Sequence, residues 1–375
     1  MTTPTSDEST SFSELDQRFM RLALALGRRG LGNTWPNPAV GAVVVKDGTI
    51  LGRGWTQPGG RPHAETEALK RAGRAARGAT LYVTLEPCSH HGKTPPCVDA
   101  ILRADIKRVV SACGDPNVEV AGQGYAKLRE AGVIVEEGLC ADEARRDHAG
   151  HIRRMKDGRP HVMLKLAVSA DGKAGAPGRK PLPITGEDAR TRVHLMRAQA
   201  DGIMVGLGTV LADNPVLNCR LPGLEERSPV RVILDAGLRT PLASSVIGTA
   251  RAVQTWVVCA FEASNIGEDI LRAKGVDVIR VSSEAGRLDL PQVLAKLSER
   301  GITRLMVEGG PTVAAALVAA DLVDEAALFH SPQSVGEGID ALEGLPLSAL
   351  TQSERLERVA SETIGADTLD TYERG

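Results

Sequence analysis

The chain has 375 residues, a length that allows two domains with a hydrophobic core each. A hydrophobic share of 42% with only 3% aromatic residues is typical of a globular α/β protein rich in small aliphatic side chains. Its 45 basic and 47 acidic residues give a formal net charge of −2, which disfavours nucleic acid as a partner because proteins that bind it usually carry a basic excess.

Nothing near the start of the sequence suggests export or insertion into a membrane. The first dozen residues have neither the basic start nor the apolar stretch of a targeting peptide, and no apolar run reaches the roughly 18 residues that cross a bilayer. The six cysteines are scattered along the chain, as is usual in a reducing compartment. We therefore expect a cytoplasmic protein with no membrane partner.

The first half alternates short apolar runs with amphipathic ones. Residues 1–13 are rich in Ser, Thr, Asp and Glu and predict a disordered tail. A helix with capping character begins at Ser13, and further helices begin at His63 and Pro95. Strands are predicted at residues 40–45, 80–85, 108–113 and 133–136, with a hairpin turn at 46–49 leading into one more. The sum is a sheet of about five strands with helices on both faces.

One imidazole and two thiols form a candidate metal site in this half. His63, Cys88 and Cys97 are the ligand types with which Zn²⁺ keeps a fourth position open for water. Glu65 follows the histidine by two residues, close enough to move protons without binding the metal. The order His-x-Glu, Pro-Cys, Cys is the signature of zinc-dependent nucleobase deaminases, in which the Glu is general acid and base. A purely structural zinc is the alternative, although it would not need Glu65.

Eight residues separate the two thiols, whereas two separate them in the nucleic-acid-editing deaminases. The string Glu-Pro-Cys-Ser-His-x-Gly-Lys-Thr-Pro-Pro-Cys, which begins at Glu86, resembles the deaminase half of the bifunctional riboflavin biosynthesis proteins. The resemblance extends over nearly the whole chain. It implies an N-terminal cytidine-deaminase-like αβα sandwich that binds one Zn²⁺.

The resemblance also implies residues that hold the pyrimidine and its ribose phosphate: Asn37, His90, Lys93, Asp115 and Asn117. Their chemistry is suitable, since a lysine and a histidine can bind a phosphate and an asparagine can form hydrogen bonds with a ring amide. Simpler interpretations stay open. Asn37 and the segment 115–117 are also typical of turns, and Lys93 of a solvated surface.

The second half begins after a charged helix predicted at residues 141–156. Asp157-Gly158-Arg159-Pro160 is a break of the kind found between domains, so we predict domains at 14–156 and 157–375. Beyond it, strands are predicted at residues 162–167, 202–205, 230–234, 255–259, 276–281 and 304–307, and helices at 187–200, 266–274 and 290–300. Strands that alternate with helices in this way indicate a largely parallel sheet covered on both faces.

Three motifs in this half resemble the reductase half of the same family, whose fold is similar to dihydrofolate reductase. They are Lys165-Leu-Ala-x-Ser-x-Asp-Gly, Gly208-Thr-Val-Leu-Ala-Asp-Asn-Pro and Val307-Glu-Gly-Gly-Pro-Thr. The resemblance assigns to NADPH the residues Ala167, Thr209, Asp213, Gly310, Pro311, Thr312, Val313, Ala314, Ala315 and Ala316. It assigns to the substrate Arg197, Leu217, Arg220 and Glu308, and it places Lys165 next to the sugar carbon that receives hydride. Turn, surface and loop interpretations stay open for Asp213, Arg197 and Gly310.

The sequence departs from the family at two places. Relatives have Ser-x-Trp where this chain has Pro181-Leu182-Pro183, and they have a Ser where it has Ala236. Both changes fall in the reductase half, and they are expected to weaken NADPH binding or alter its geometry. Lys165 and Glu308 are unaffected.

The resemblance implies a two-step enzyme. The first half would deaminate 2,5-diamino-6-(5-phosphoribosylamino)pyrimidin-4(3H)-one, and the second would reduce the ribosyl group to give 5-amino-6-(5-phosphoribitylamino)uracil. Two alternatives stay open. One is a deaminase whose second half serves only to bind substrate or to form the assembly, and the other is a non-enzymatic binding protein whose zinc ion is purely structural. A homo-oligomer, dimer or tetramer, is expected.

Overall fold

The computed structural model describes residues 12–92, 94–117, 121–179 and 182–375. Residues 1–11 of the predicted tail lie outside the described residues, whereas Ser13 is the N-cap of the first helix. The chain separates into two compact units, Met1–Lys156 and Asp157–Gly375. Among the described helices, none has the length and apolar character needed to span a bilayer.

The first unit is a five-stranded sheet with helices on both faces. Its elements in chain order are α1 (Glu14–Gly27), β1 (Gly41–Lys46), β2 (Thr49–Trp55), α2 (Ala64–Ala72), β3 (Thr80–Val83), α3 (Cys97–Arg103), β4 (Arg108–Ser111), α4 (Gln123–Glu130), β5 (Ile134–Glu137), α5 (Ala141–Asp147) and α6 (Ala149–Asp157). The strand order is β2-β1-β3-β4-β5. Strand β1 runs antiparallel to β2 and β3, and β3, β4 and β5 are parallel to one another. The predicted sheet of about five strands is confirmed.

Alternation along β1 explains the two covered faces. Val43 packs in one core cluster with Met20 of α1, whereas its neighbour Val44 packs in a second cluster with Ala68 of α2. Successive side chains of a strand point to opposite faces, so an apolar run with no polar alternation requires helices on both sides. The result is a three-layer αβα sandwich.

The prediction of a single charged helix at residues 141–156 is wrong in one respect, because the structure has two helices there. Helix α5 ends at Asp147, its C-cap His148 leaves helical geometry, and α6 begins at Ala149. His148 is 2% exposed, and its Nε2 lies 3.1 Å from the hydroxyl of Thr84. The break between the helices depends on this tertiary contact of a buried histidine. The pattern of charged residues along the sequence does not reveal such a contact.

The second unit is built on a larger sheet. Its elements in chain order are β6 (His161–Val168), β7 (Lys173–Gly175), α7 (Glu187–Gln199), β8 (Gly202–Gly206), α8 (Leu207–Asp213), β9 (Val230–Leu234), α9 (Ser245–Gly248), β10 (Thr255–Ala260), α10 (Asn265–Ala273), β11 (Asp277–Val281), β12 (Ser283–Glu284), β13 (Arg287–Leu288), α11 (Leu290–Glu299), β14 (Arg304–Val307), α12 (Pro311–Ala319), β15 (Glu325–His330), β16 (Ile339–Asp340), α13 (Ser348–Thr351), β17 (Leu356–Ile364) and β18 (Asp367–Arg374).

Nine strands form the main sheet of this unit in the order β11-β10-β9-β8-β14-β6-β15-β18-β17. The pairs from β11 to β15 are parallel, and β18 is antiparallel to both β15 and β17. The predicted parallel sheet is confirmed, and three strands that were not predicted, β15, β17 and β18, extend it at one side. The carboxyl ends of the central strands β8, β14 and β6 meet at one edge, where open α/β sheets bind ligands.

Candidate functional sites

The three candidate metal ligands come from separate elements of the first unit. His63 is the N-cap of α2, Cys97 is the first residue of α3, and Cys88 lies in the loop between β3 and α3. The Nδ1 atom of His63 is 3.6 Å from the Sγ of Cys88 and 3.3 Å from the Sγ of Cys97. All three ligand atoms lie within 4.8 Å of one another.

This spacing fits a zinc ion. Bonds of about 2.3 Å to sulfur and 2.0 Å to nitrogen at tetrahedral angles put neighbouring ligand atoms roughly 3.5 Å apart. The backbone N–H of Cys97 also donates to the Sγ of Cys88 at 3.3 Å, as expected where a thiolate faces the start of a helix. Hydrogen bonds from the Cys97 side chain and from His63 outweigh burial and lower the pKa of Cys88 to about 4. Cys88 is therefore favoured as the thiolate that a metal requires, whereas the hydrogen bond to Cys88 and burial raise the pKa of Cys97.

Glu65 lies beside these ligands, on the first turn of α2. Glu65 is buried, with 3% of its surface exposed, and it does not belong to the cluster of three ligands. Burial, its largest influence, raises the pKa of Glu65, and the charge of Cys88 acts in the same direction while that of His63 opposes it. A buried carboxyl group with a raised pKa next to a metal site suits a group that exchanges protons.

The predicted pyrimidine contacts lie in three loops of the same unit. The side-chain N–H of Asn37 donates to the carbonyl of Gly60 at 2.8 Å, so the nitrogen has a structural role. The side-chain oxygen is then the group available to accept a hydrogen bond from a ligand. Gly60 has a φ of 84°, and a Cβ there would lie 2.5 Å from the Asn37 nitrogen, which makes glycine necessary. His90 is exposed. Lys93 lies outside the described residues.

Asp115 and Asn117 belong to a loop organised by a buried carboxylate that the sequence analysis did not single out. Glu86 is 5% exposed and accepts backbone N–H groups from Asp115 at 3.1 Å, Gly122 at 2.9 Å and Gly124 at 2.8 Å. The backbone N–H of Asn117 in turn donates to Asp115 Oδ1 at 2.9 Å. Glu86 therefore fixes the position of this loop next to the segment that contains Cys88. The one feature of the sequence that pointed to a role for Glu86 is its place in Glu-Pro-Cys, two residues before a metal ligand.

His151 is a second residue without a predicted role in this part of the unit. Its Nε2 lies 3.8 Å from Asp115 Oδ1, at the distance of an ion pair rather than a hydrogen bond. Burial disfavours the charged form of Asp115, but His151 and the N–H of Asn117 more than offset this and lower its pKa. Asp115 is thus held as a carboxylate.

The second unit contains a cavity of about 590 Å³ at the carboxyl edge of its central strands. Most residues that the resemblance assigned to the reductase line it: Lys165, Ala167, Arg197, Thr209, Asp213, Leu217, Glu308, Gly310, Pro311, Thr312 and Val313. Ala315 and Ala316 line an adjoining cavity instead. Ala314 is fully buried in α12, and Arg220 is an exposed residue that lines neither cavity, its guanidinium bonded to the side chain of Asn218.

The start of α12 and the start of α8 meet beside this cavity. The backbone N–H of Gly310 donates to the hydroxyl of Thr209 at 3.0 Å, and a Cβ on Gly310 would lie 3.3 Å from that hydroxyl. Gly310 is the N-cap of α12, where helix N–H groups favour phosphate. The small residues and the helix start fit the approach of a dinucleotide pyrophosphate.

Lys165, Arg197 and Glu308 are among the charged residues that line the same cavity. Arg197 donates to both carboxylate oxygens of Glu308, at 2.6 and 2.8 Å. Although burial opposes it, the charge and hydrogen bonds of Arg197 lower the pKa of Glu308. Burial lowers the pKa of Lys165, with the charge of Glu308 acting in the opposite direction. The site thus holds a lysine that gives up its proton more readily than usual.

The motif that contains Lys165 also forms a rigid turn. Asp171 accepts the hydroxyl of Ser169 at 2.5 Å and the backbone N–H groups of Val335 at 3.0 Å and Gly336 at 2.7 Å. These bonds tie the end of β6 to the segment after β15. Of the divergent segment, Pro181 lies outside the described residues, while Leu182 and Pro183 line the cavity.

Both halves of the chain match known families. Residues 13–113 match the cytidine and deoxycytidylate deaminase zinc-binding region, and residues 160–369 match the RibD C-terminal domain. A riboflavin biosynthesis protein RibD from Aquifex aeolicus is 40% identical over 361 residues, which cover 96% of this chain and 99% of the relative.

Solved structures agree with the sequence matches. RibD from Acinetobacter baumannii, at 35% identity, superposes with a TM-score of 0.85 over 96% of this chain and 99% of its own. A diaminohydroxyphosphoribosylaminopyrimidine deaminase/5-amino-6-(5-phosphoribosylamino)uracil reductase from Thermotoga maritima, at 36% identity, gives 0.83 over 96% and 99%. The predicted pairing of a cytidine-deaminase-like domain with a reductase domain is confirmed. The chain belongs to the RibD family of bifunctional riboflavin biosynthesis enzymes, with a deaminase domain followed by a reductase domain.

Proposed function

We propose that this chain catalyses two consecutive reactions on one phosphorylated pyrimidine. The deaminase domain, residues 14–156, releases ammonia from 2,5-diamino-6-(5-phosphoribosylamino)pyrimidin-4(3H)-one. The reductase domain, residues 157–375, then converts the ribosyl group to ribityl with NADPH and yields 5-amino-6-(5-phosphoribitylamino)uracil. The observation that carries the proposal is the convergence of His63, Cys88 and Cys97 next to the buried Glu65.

In the deaminase reaction, water adds to the ring carbon that bears the amino group, and the bond from that carbon to nitrogen breaks. Zn²⁺, when bound by His63, Cys88 and Cys97, supplies the electrophile that makes water reactive at neutral pH. Glu65 accepts the proton from water at a carboxylate oxygen and delivers it to the departing nitrogen, so that ammonia leaves. Its burial excludes bulk water from this exchange.

Substrate binding in this domain is assigned to the loops around Glu65. Asn37 Oδ1 can accept an N–H of the ring, and Asp115, held as a carboxylate by His151, can accept hydroxyl groups of the ribose. His90 and Lys93 are assigned to the phosphate. The position of Asp115 depends on Glu86, which fixes the backbone of this loop.

In the reductase reaction, NADPH supplies a hydride to the sugar carbon when it is bound. Lys165 donates a proton to the sugar oxygen, and its lowered pKa supports this role because it makes the ammonium group a better proton donor. Arg197 is oriented by Glu308 and by the carbonyl of Asn218, to which it donates at 3.0 Å, and it is assigned to a polar group of the substrate. Thr209, Asp213 and the first turn of α12 are assigned to the cofactor.

An experiment in two stages tests this order of events. The full chain is incubated with the diaminopyrimidine substrate without NADPH, and ammonia should be released while a deaminated product accumulates. NADPH is then added, and it should be oxidised. Release of ammonia with no oxidation, even at millimolar NADPH, would favour the alternative that the second domain only binds substrate or assembles. That alternative is motivated by Leu182 and Pro183 in the cavity wall.

The cellular context is also a prediction. We expect the protein to act in the cytoplasm as a homo-oligomer, either a dimer or a tetramer. None of the six cysteines, all of which lie within the described residues, forms a disulfide, and such cysteine usage is typical of a reducing compartment. Size-exclusion chromatography with light scattering measures the assembly.

A further inference from the structure

One part of the wall of the candidate reductase cavity is a segment without helix or strand, residues 214–220, which follows α8. Leu217 of this segment lines the cavity and is 3% exposed. Its φ of 53° lies in the left-handed region, as does the φ of 42° at Asn214. A leucine rarely adopts this conformation, and such strain persists only where the surrounding contacts hold the backbone. The contacts of the 214–220 segment therefore show what keeps Leu217 in the cavity wall.

A buried arginine on β9 holds the carbonyl of Val216. Arg231 is fully buried, and its Nη1 donates to that carbonyl at 3.1 Å. Its other hydrogen bonds also go to neutral oxygens, the hydroxyl groups of Thr249 at 2.7 Å and Thr255 at 3.0 Å and the carbonyl of Val253 at 2.8 Å. This arrangement gives little net stability, because a buried charge without a charged partner is costly. Arg231 instead fixes the backbone at Val216.

Helix α7 holds the other end of the 214–220 segment. The backbone N–H of Arg220 donates to Nδ1 of His194 at 3.3 Å, and the thiol of Cys219 donates to the carbonyl of His194 at 3.5 Å. One turn further along the helix, Nη1 of Arg197 donates to the carbonyl of Asn218 at 3.0 Å. His194 thus fixes the end of the segment whose Asn218 carbonyl orients the guanidinium of Arg197.

We propose that Arg231 and His194 are positioning residues for substrate binding by the reductase domain. Neither residue lines the candidate reductase cavity, so both act through the 214–220 segment. Arg231 keeps Leu217 in the cavity wall. His194 keeps the far end of the segment where it orients Arg197. The inference rests on the proposed reductase function and adds to it two residues that set the affinity for the phosphorylated pyrimidine but not for NADPH.

Steady-state kinetics and equilibrium binding on the full chain test the role of His194. NADPH oxidation is measured with the deaminated pyrimidine as the varied substrate, and NADP⁺ binding is measured separately. His194→Ala removes the acceptor at Nδ1 and should raise KM for the pyrimidine by about three- to tenfold, the effect of one hydrogen bond, with a smaller change in kcat. The affinity for NADP⁺ should stay the same. His194→Asn offers an oxygen acceptor near the position of Nδ1 and should bring KM close to the parent value.

Arg231→Met tests the contact on β9. It removes every donor of the guanidinium and should raise KM for the pyrimidine by at least the same factor, while Arg231→Lys, which keeps one donor group, should be impaired less. The His194 variants do not disturb a buried charge, so they decide the outcome if Arg231→Met does not fold.

Arg192→Ala is the matched control on α7, because its guanidinium pairs with Glu362 and not with the 214–220 segment. It should leave KM and NADP⁺ affinity unchanged. The proposal is overturned if His194→Ala or a folded Arg231→Met keeps the parent KM, if either weakens NADP⁺ as much as the pyrimidine, or if His194→Asn is as impaired as His194→Ala. An unmodified chain that does not oxidise NADPH with the deaminated pyrimidine would instead refute the reductase function itself.

Discussion

Arg197 and Glu308 face each other in the reductase domain with two parallel hydrogen bonds, Nε to Oε1 at 2.6 Å and Nη2 to Oε2 at 2.8 Å. Arg197 comes from α7 and Glu308 follows β14, so the pair joins a helix to the end of a central strand. Both side chains are 12% exposed. The pair stabilises the wall of the cavity and also orients Arg197 toward the proposed substrate.

Replacing Arg197 by Ala should therefore affect both stability and reduction. Glu308 would be left as a nearly buried charge without its partner, and breaking such a pair costs about 3–5 kcal/mol. We expect a lower free energy of unfolding for the reductase domain and a loss of NADPH oxidation. Denaturant titration and a coupled NADPH assay measure these two effects.

Arg192→Ala is the control for this variant, because Arg192 lies on the same helix and pairs with Glu362 at 3.0 Å in a more exposed setting. Its loss should cost less than about 1 kcal/mol. Equal destabilisation by the two substitutions would contradict the role given to the pair.

Glu65→Gln should separate metal binding from deamination. The substitution keeps the size of the side chain and removes its ability to take a proton, while His63, Cys88 and Cys97 are untouched. Ammonia release should fall by about 10²- to 10⁴-fold or more, the usual contribution of a general acid and base. Zinc content, measured by plasma emission, should remain one per chain.

The control is Glu67→Gln on the same helix, because the carboxylate of Glu67 pairs with Arg71 at 3.2 Å and does not belong to the cluster of three ligands. It should retain deaminase activity. Full activity in Glu65→Gln would refute the assignment of the proton carrier.

Removing the metal distinguishes a catalytic zinc from a structural one. Chelation, or the substitution Cys97→Ser, should stop ammonia release while the far-ultraviolet circular dichroism of the chain stays largely native. The five-stranded sheet has its own buried cores on both faces, so it does not depend on the metal for its fold. Unfolding of the domain on chelation would support the alternative in which the zinc ion is purely structural.

The stability of the reductase domain should decrease in acid because of Asp324. This residue is 2% exposed, accepts two hydrogen bonds from Arg159 at 2.6 and 2.8 Å, and accepts the N–H of Val162 at 2.9 Å. Burial acts to raise its pKa, but these partners dominate and lower it. A carboxyl group whose pKa is lower in the folded state stabilises the fold above its unfolded pKa of about 3.9. That stabilisation is lost as the pH falls through the folded value.

Asp324→Asn measures this contribution. The variant should melt at a lower temperature than the parent at neutral pH. The difference should shrink as the pH falls below about 4, because Asp324 of the unfolded parent takes up a proton there before Asp324 of the folded parent does. A difference in melting temperature that stays constant down to pH 2 would contradict the assignment.

Much of the deaminase site could be predicted, because its residues lie where predicted helices and strands begin or end. The strand before Cys88, the prolines before Cys97 and the helix after His63 are local patterns, and the structure brings the three side chains together where those patterns end. The contributions of Glu86 and His148 could not be predicted. Glu86 acts through backbone groups 29 to 38 residues away along the chain, and His148 ends a helix through a contact with Thr84.

The reductase site could be predicted in part. The motifs around Lys165, Thr209 and Glu308 each lie next to a parallel strand, so their meeting at one sheet edge follows from topology. The sequence pattern does not reveal that β15, β17 and β18 complete the sheet, since antiparallel pairing at a sheet edge depends on long-range contacts. Nor does it reveal the adjoining cavity lined by Ala315 and Ala316, which is formed by segments far apart along the chain.

The most direct test of the account is the stoichiometry of the two reactions in one purified chain. With the phosphorylated diaminopyrimidine and NADPH both present, each substrate molecule consumed should release one ammonia and oxidise one NADPH. Ammonia without NADPH oxidation, or neither, would contradict the claim that both domains act on the same molecule in sequence.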